Sequence, residues 1–216
     1  MHILSIGNVA FMAFGQPVSW IEIFGVITGF LSVLYAAREN IWTWSTGLLN
    51  ALAFGIIFWQ VQLYADVALQ VFYVVVTFYG WYTWLHPKTK ETTNSVGQLK
   101  VTGFTNKQRL IAVGGLLVAT AIAGTLFKAV PDWFTTLFPK PTAFPYWDSY
   151  VLVGSVVAFI LLSKKLKENW LLYLSCDLIS IVLYSIQGIY LVAFEYVFFA
   201  GLCSYGLPRW YKGGTK

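Results

Sequence analysis

Long apolar segments with very little charge dominate this chain and limit what it can fold into. Of its 216 residues, 58% are apolar and only 11% are charged, whereas soluble domains contain about 25% charged residues. So little charge could not cover a water-facing surface. A helix that crosses a bilayer needs about 20 mainly apolar residues, and every backbone polar group in lipid needs an internal partner. The sequence therefore predicts an all-α integral membrane bundle of seven transmembrane helices.

Polar and turn-forming residues separate the predicted spans. Pro17 suits the start of the first helix, because a helix start leaves an N–H unpaired that proline lacks. The polar stretch 86–106 is predicted to be a linker, and the prolines from Pro131 onward are expected to keep the fourth helix from continuing. Residues 1–16 are expected to form an interfacial or disordered lead-in. The predicted spans cover residues 17–36, 41–60, 64–85, 107–127, 147–163, 169–187 and 190–210.

The distribution of positive charge predicts the orientation in the membrane. Of the fourteen Lys and Arg residues, twelve lie in or beside the loops after the first, third and fifth spans or near the C-terminus, and only Lys128 and Lys140 lie on the other side. Cytoplasmic loops carry the excess of Lys and Arg. We therefore expect a multi-pass protein with its C-terminus in the cytoplasm and its N-terminus outside.

An internal repeat relates residues 39–84 to residues 168–210. Both copies begin with the same residue pair, Glu39-Asn40 and Glu168-Asn169, and a common offset of 126 relates Tyr64 to Tyr190 and Gly80 to Gly206. Both copies start on the same side of the membrane, so the repeats are parallel, a known transporter layout. This predicts three-plus-one-plus-three helices: a first repeat over 17–85, a connecting helix over 107–127, and a second repeat over 147–212.

Polar and aromatic side chains follow single faces of the second, third and sixth spans. Polar side chains are costly in lipid, so they are expected to face a cavity or one another. The candidate substrate-binding residues are Trp44, Asn50, Gln70, Tyr73, Trp170, Tyr173, Asp177 and Tyr184. Tyr64, Asp66 and Gln187 are candidates for contacts at the outer end or a gate. Two alternatives remain open: Asp66 could instead complement the helix dipole, and Gln187 could be a hydrated helix cap.

Many aromatic residues near span ends, including Trp84 and Trp210, have a simpler interpretation. Trp and Tyr are enriched where a membrane meets water. They are therefore predicted to form an interfacial belt.

Asp177 is unusual because it lies midway along the sixth span, roughly 13 Å from either end at 1.5 Å per residue. No Lys or Arg lies at a similar depth in any predicted span. Asp177 could be a neutral hydrogen-bonded acid, a proton-coupling site or a contact for a cationic ligand. Asn50 reaches a similar depth, and hydrogen bonding between spans is the structural alternative for both residues.

The sequence offers little support for an enzyme, a metal site or a cofactor. Cys176 and Cys203 lie in apolar segments, where buried thiols behave as small hydrophobic groups. His2 and His86 fall outside the spans. We therefore expect no catalytic residues, no metal and no cofactor. The net charge of +5 reflects topology rather than binding of nucleic acid.

Motifs in both halves resemble the PnuC family of nicotinamide riboside transporters, and the resemblance covers about residues 18–212. The first half carries Tyr64-Ala65-Asp66-Val67-Ala68-Leu69-Gln70, Tyr73 and Gly80-Trp81-Tyr82-Thr83-Trp84. The second half carries Glu168-Asn169-Trp170, Asp177, Ser180, Tyr184, Gly188-Ile189-Tyr190 and Tyr205-Gly206. Pro208 departs from the family pattern.

The resemblance implies an importer in the bacterial inner membrane, with a plan related to SWEET-type sugar transporters and a homotrimeric assembly. It implies facilitated diffusion of nicotinamide riboside, with cytoplasmic phosphorylation trapping the product. The riboside has a cationic ring, which aromatic side chains can hold by stacking and cation–π attraction. The lack of intramembrane Lys and Arg disfavours a phosphorylated substrate. Transport of another small vitamin or nucleoside, with or without proton coupling, is the alternative.

Overall fold

A computed structural model describes residues 4–13, 15–62, 64–88, 93, 97–133 and 143–213. Within these residues, a short β-hairpin precedes seven α-helices. The strands are β1 (Val9–Ala13) and β2 (Gln16–Ser19). The helices are α1 (Trp20–Ala37), α2 (Trp42–Gln60), α3 (Tyr64–Leu85), α4 (Asn106–Trp133), α5 (Pro145–Ser163), α6 (Asn169–Ile186) and α7 (Tyr190–Gly213). Each predicted span is therefore found as a helix.

The first helix begins later than predicted. Pro17 lies in strand β2, where it is paired with Met12, and α1 begins at Trp20. Ser19 caps the helix: its Oγ accepts the N–H of Glu22 at 3.3 Å, and its own N–H donates to the Glu22 carboxylate at 2.6 Å. This reciprocal capping box satisfies two otherwise unpaired donors. Proline is tolerated in an edge strand, so the expectation of a helix start at Pro17 is wrong.

The lead-in is an ordered hairpin in its described part, which the sequence did not predict. Gly15 adopts φ 78° at the turn between the strands, a conformation that favours glycine. Gln60 at the end of α2 holds the segment before β1: its Nε2 donates to the Leu4 carbonyl at 2.8 Å, and its Oε1 accepts the N–H of Ile6 at 3.1 Å. Gln60 thus joins the lead-in to α2.

Proline interrupts the helices less than expected. α4 continues through Pro131 to Trp133, and α7 continues through Pro208 to Gly213, so the expected ends near residues 127 and 210 are too early. A proline within a helix removes one backbone hydrogen bond, which helices in membranes tolerate. Pro145 is the first residue of α5, the position proline favours. Pro139 and Pro141 lie outside the described residues.

The chain divides into two compact units. Unit 1 comprises Met1–Val101, Ser163–Lys165 and Tyr205–Lys216. Unit 2 comprises Thr102–Leu162 and Leu166–Ser204. The last part of α7 and the turn after α5 thus belong to unit 1, although in sequence they lie within the second predicted repeat.

Four helices among the described residues are long and apolar enough to cross a membrane by length and composition alone. They are Trp20–Ala37, Asn106–Ala129, Pro145–Ser163 and Asn169–Ile186.

Small and hydroxyl-bearing residues bring α1 and α2 of unit 1 together. Ser32 Oγ donates to the Thr43 carbonyl and Thr43 Oγ1 donates to the Ser32 carbonyl, each at 2.9 Å. Gly47 faces Ser32 so closely that a Cβ there would lie 3.0 Å from the Ser32 hydroxyl. Close approach through small residues with hydrogen bonds between helices is typical of membrane bundles.

Candidate functional site

Asn50 is used in the packing of unit 1. Its side-chain Nδ2 donates to the carbonyl oxygen of Gly25 on α1 at 2.8 Å. This hydrogen bond supports the structural interpretation of Asn50.

Trp44 is a core residue of unit 1, with 1% of its surface exposed. Its ring meets Trp84 edge to face, with centroids 5.2 Å apart, a favourable arrangement for aromatic pairs. Gly80 on α3 makes room for the indole, because a Cβ at Gly80 would lie 2.2 Å from the Trp44 ring. The α2–α3 contact in this region therefore depends on glycine.

Trp84 and Trp210 are not interfacial belt residues, so that expectation is wrong for both. Each is 0% exposed. The Trp210 Nε1–H donates to the carbonyl oxygen of Ala36 at 3.0 Å, and the Trp84 and Trp210 ring centroids are 6.1 Å apart. In contrast, Trp20, Trp59 and Trp147 are each more than half exposed. Neighbouring helices, rather than position near a span end, decide which tryptophan is buried.

A buried lysine lies beside these tryptophans. The Lys165 side chain is 0% exposed, its Nζ lies 3.0 Å from the Glu39 carboxylate, and it lies 4.5 Å from the centroid of the Trp84 ring. Burial lowers the pKa of Lys165 from its usual value, while the charge of Glu39 and its hydrogen bond act in the opposite direction. From the sequence alone, Lys165 is only one of the positively charged residues in the predicted loops. We call Glu39, Trp44, Trp84, Lys165 and Trp210 the tryptophan–lysine cluster.

The α3 candidates lie along one helix of unit 1. Gln70 packs beside Gly55 of α2, where a Cβ would come within 3.6 Å of the Gln70 side chain. Tyr73 contacts Phe72, with ring centroids 5.7 Å apart. Asp66 is half-buried in the first turn of α3, the position where a carboxylate complements the helix dipole. Tyr64 is the first residue of α3, and its side chain lies outside the described part of the structure.

In unit 2, α6 buries the face predicted to carry polar residues. Trp170 is 1% exposed and Asp177 is 6% exposed, while Tyr173 and Tyr184 are half-buried. Gln187 is exposed and is the C-cap residue of α6. The structure therefore supports the hydrated-cap interpretation for Gln187 and places the other α6 candidates along a largely buried helix.

Asp177 bonds a thiol rather than a cation. The Cys203 Sγ on α7 donates to Asp177 Oδ2 at 3.3 Å. Among the described residues, Asp177 forms no salt bridge within 4.0 Å, since the two recorded pairs are Arg109 with Glu168 and Lys165 with Glu39. This agrees with the absence of Lys and Arg at that depth in the sequence.

About two helical turns beyond Asp177, Tyr184 of α6 stacks on Tyr196 of α7. The ring centroids are 5.6 Å apart and the planes differ by 13°. Neither Tyr196 nor Cys203 is among the site residues predicted from the sequence. Their spacing of seven residues, which places both on one face of a helix, was the available signal.

Two further contacts hold α6 within unit 2. The Tyr150 hydroxyl of α5 lies 2.8 Å from Ser175 Oγ. At the start of α6, Glu168 accepts hydrogen bonds from Arg109 at 3.1 Å and from the Phe104 N–H at 3.0 Å. Asp177 and Tyr184 therefore lie on a helix fixed at its start and along its length.

Comparison with known proteins agrees with these features. A family model described as "Nicotinamide mononucleotide transporter" matches residues 19–212. The nicotinamide riboside transporter PnuC of Escherichia coli (strain K12) is 34% identical over 94% of this chain and 89% of its own length. The chain belongs to the PnuC family of membrane transporters. The riboflavin/roseoflavin transporter RibM of Streptomyces davaonensis is 27% identical, over 95% of this chain and 91% of its own length.

A solved structure extends the PnuC-family comparison to the fold. The crystal structure of the vitamin B3 transporter PnuC superimposes with a TM-score of 0.67 at 23% identity, covering 91% of this chain and 82% of the other. This confirms the prediction of a seven-helix, multi-pass membrane fold. The relatives are transporters, so the prediction that the chain is not an enzyme is also confirmed.

Proposed function

We propose that this chain imports nicotinamide riboside by facilitated diffusion. The observation that carries the proposal is its 34% identity, across 94% of the chain, to a protein named as a nicotinamide riboside transporter. The buried carboxylate of Asp177 gives independent chemical support. Its thiol partner carries no formal positive charge, so a cationic ligand ring could offset its charge.

The proposed substrate site uses the side chains selected from the sequence. The α6 residues Trp170, Tyr173, Asp177 and Tyr184 supply aromatic faces and a carboxylate, which suit a cationic pyridinium ring. Trp44, Asn50, Gln70 and Tyr73 are the candidates from α2 and α3. Trp44 and Asn50 already pack within unit 1, and Trp170 is as buried as Trp44. We therefore give Asp177, Tyr173 and Tyr184 the larger share of substrate binding.

Outer-end contacts are proposed for Tyr64, Asp66 and Gln187. The exposure of Gln187 and the first-turn position of Asp66 are compatible with a role in first encounter with the substrate.

An uncharged or cationic substrate fits better than a phosphorylated one. The segments that form α1, α2, α3, α5 and α6 contain no Lys or Arg, the side chains that usually bind phosphate. The matching family model is named for the mononucleotide, but the substrate proposed for this chain is the riboside.

Transport is proposed to proceed by alternating access of the two three-helix repeats, 17–85 and 147–212, joined by the helix 107–127. The parallel internal repeat supports this mechanism. Uniport then requires no coupling ion, and phosphorylation of the riboside in the cytoplasm would keep uptake directed inward. We also propose an inner-membrane location with the C-terminus in the cytoplasm, as the charge distribution indicates, and a homotrimer, as the family resemblance implies.

Calorimetric titration of the detergent-purified protein tests the substrate proposal. Nicotinamide riboside should bind, whereas the mononucleotide should bind at least about tenfold more weakly because its phosphate finds no cationic partner. Binding of the mononucleotide as tight as that of the riboside would contradict the argument from charge. Absence of riboside binding would overturn the proposed substrate.

Riboflavin is the second candidate substrate. The 27% identity to a riboflavin/roseoflavin transporter over 95% of this chain favours its inclusion in the same titration. A clear preference for riboflavin over the riboside would move the chain to that substrate class without changing its assignment as a transporter.

A further inference from the structure

We propose that Cys203 is a positioning residue, whose thiol holds the Asp177 carboxylate in the orientation that selects a cationic substrate. The inference rests on the proposed function, since it concerns how one residue of the proposed substrate site is held. Cys203 itself is not proposed to contact the substrate.

The geometry of the pair supports this role. Cys203 is 3% exposed and Asp177 is 6% exposed, and 3.3 Å separates the thiol sulfur from Oδ2. A carboxylate is a pure acceptor when ionised, and a thiol is a weak donor. It is the only hydrogen bond recorded to this carboxylate from the described residues. Cys203 therefore engages one oxygen atom and leaves the other for a ligand.

A second contact follows the same seam between α6 and α7. Tyr184 lies seven residues after Asp177, and Tyr196 lies seven residues before Cys203, so each residue shares a helix face with its neighbour in the seam. Tyr184 stacks on Tyr196 at 5.6 Å. Because α6 and α7 run antiparallel, the Asp177–Cys203 pair and the Tyr184–Tyr196 pair lie about 10 Å apart along the seam, at 1.5 Å per residue.

This arrangement suits a cation that is also aromatic. An unbonded Asp177 could rotate among several conformations, whereas the thiol restricts it to those in which Oδ2 faces α7. A neutral ligand of the same shape gains little from a fixed carboxylate. The expected effect of Cys203 is therefore on discrimination by charge more than on affinity for the riboside framework.

The experiment compares nicotinamide riboside with its 1,4-dihydro form, which has the same outline but a neutral ring. Calorimetric titrations of the full-length detergent-purified protein are made with wild type, Cys203→Ser, Cys203→Val and Asp177→Asn. Cys176→Ser, which changes a neighbouring buried thiol, is the control. A melting curve of each variant establishes that it is folded, and Cys203→Ala replaces Cys203→Val if valine does not fit.

Cys203→Val and Asp177→Asn should each weaken binding of the cationic riboside about tenfold, near the lower end of the effect expected for loss of a hydrogen bond to a charged group. Binding of the dihydro form should change less than threefold. Cys203→Ser retains a donor and should stay within about threefold of wild type for both ligands, as should Cys176→Ser.

Different failures point to different errors. If Asp177→Asn loses the cationic riboside selectively but Cys203→Val and Cys203→Ala do not, the positioning role is overturned and the proposed function stands. Equal weakening for both ligands in the Cys203 variants also overturns it, because a general packing defect would have that effect. If wild type binds neither ligand, the proposed function is overturned.

Discussion

Glu39 and Glu168 occupy matching positions of the internal repeat, yet their cations are buried to very different degrees. Lys165, paired with Glu39, has no exposed side-chain surface, whereas Arg109, paired with Glu168, is 45% exposed. A buried cation that loses its partner is costly, whereas exposed ion pairs contribute little. The effect of the same substitution on stability can therefore be compared at the two glutamates within one protein.

Glu39→Gln should lower the free energy of unfolding by about 3 kcal/mol, the lower end for a broken buried pair, because Glu39 itself is 29% exposed. Glu168→Gln is the matched control and should cost less than about 1 kcal/mol. Thermal or denaturant unfolding in detergent measures both. Equal losses in the two variants would contradict the assignment of the tryptophan–lysine cluster as a core feature.

The same cluster predicts a pH dependence. Burial lowers the pKa of Lys165 in the folded protein, so between that pKa and the unfolded value the unfolded state binds more protons and stability rises with pH. Glu39→Gln removes the group that opposes this lowering. The stability deficit of Glu39→Gln relative to wild type should therefore be largest near neutral pH and should shrink at alkaline pH. A stability deficit of Glu39→Gln that grows with pH would contradict this prediction.

Residue burial was the hardest property to predict from the sequence. Trp84 and Trp210 look like belt residues because they lie near span ends, but Ala36 and Lys165, which are distant in sequence, bury them. Cys203 lies in an apolar segment of the sequence, but in the folded chain its thiol lies beside Asp177. Such roles depend on partners that composition and periodicity do not specify.

The helices themselves follow closely from hydrophobic length. α3 has the predicted bounds of residues 64–85, and α6 ends one residue before the predicted residue 187. The errors fall at helix ends, where the Ser19–Glu22 capping box outweighs Pro17 and where one proline does not stop α4 or α7. End signals compete locally, whereas a long apolar segment has few alternatives to a helix in lipid.

The α2–α3 contact is predicted to depend on Gly80. Gly80→Ala places a methyl group against the buried Trp44 ring, and overpacking of this kind costs about 1–3 kcal/mol. Gly114→Ala is the matched control, because apart from the adjoining backbone of its own helix no atom of the described residues lies within 4 Å of a Cβ at that position. It should be neutral or should stabilise by up to about 1 kcal/mol through helix propensity. The melting temperatures of the two variants test this prediction. An unchanged value for Gly80→Ala would contradict the packing described for Trp44.

The chain as a whole has two compact units and the fold of the PnuC transporter family, while the proposed orientation rests on the distribution of charge. Single cysteines at Gln16 and Lys107 test that orientation, since both positions are exposed and the two native cysteines are buried. A membrane-impermeant thiol reagent should label Gln16→Cys in intact cells and Lys107→Cys only after permeabilisation. The reverse pattern would invert the topology that the Lys and Arg count predicts.

Uptake of labelled nicotinamide riboside into liposomes that contain the purified protein tests the central claim most directly. Because the riboside is a cation, the membrane potential is held at zero. Facilitated diffusion then predicts that the riboside enters until its internal concentration equals the external one, at a rate that an imposed pH gradient does not change. Asp177→Asn should slow this uptake about tenfold if the carboxylate binds the cationic ring. Uptake no faster than in protein-free liposomes, or accumulation above the external concentration driven by the pH gradient, would contradict the proposal.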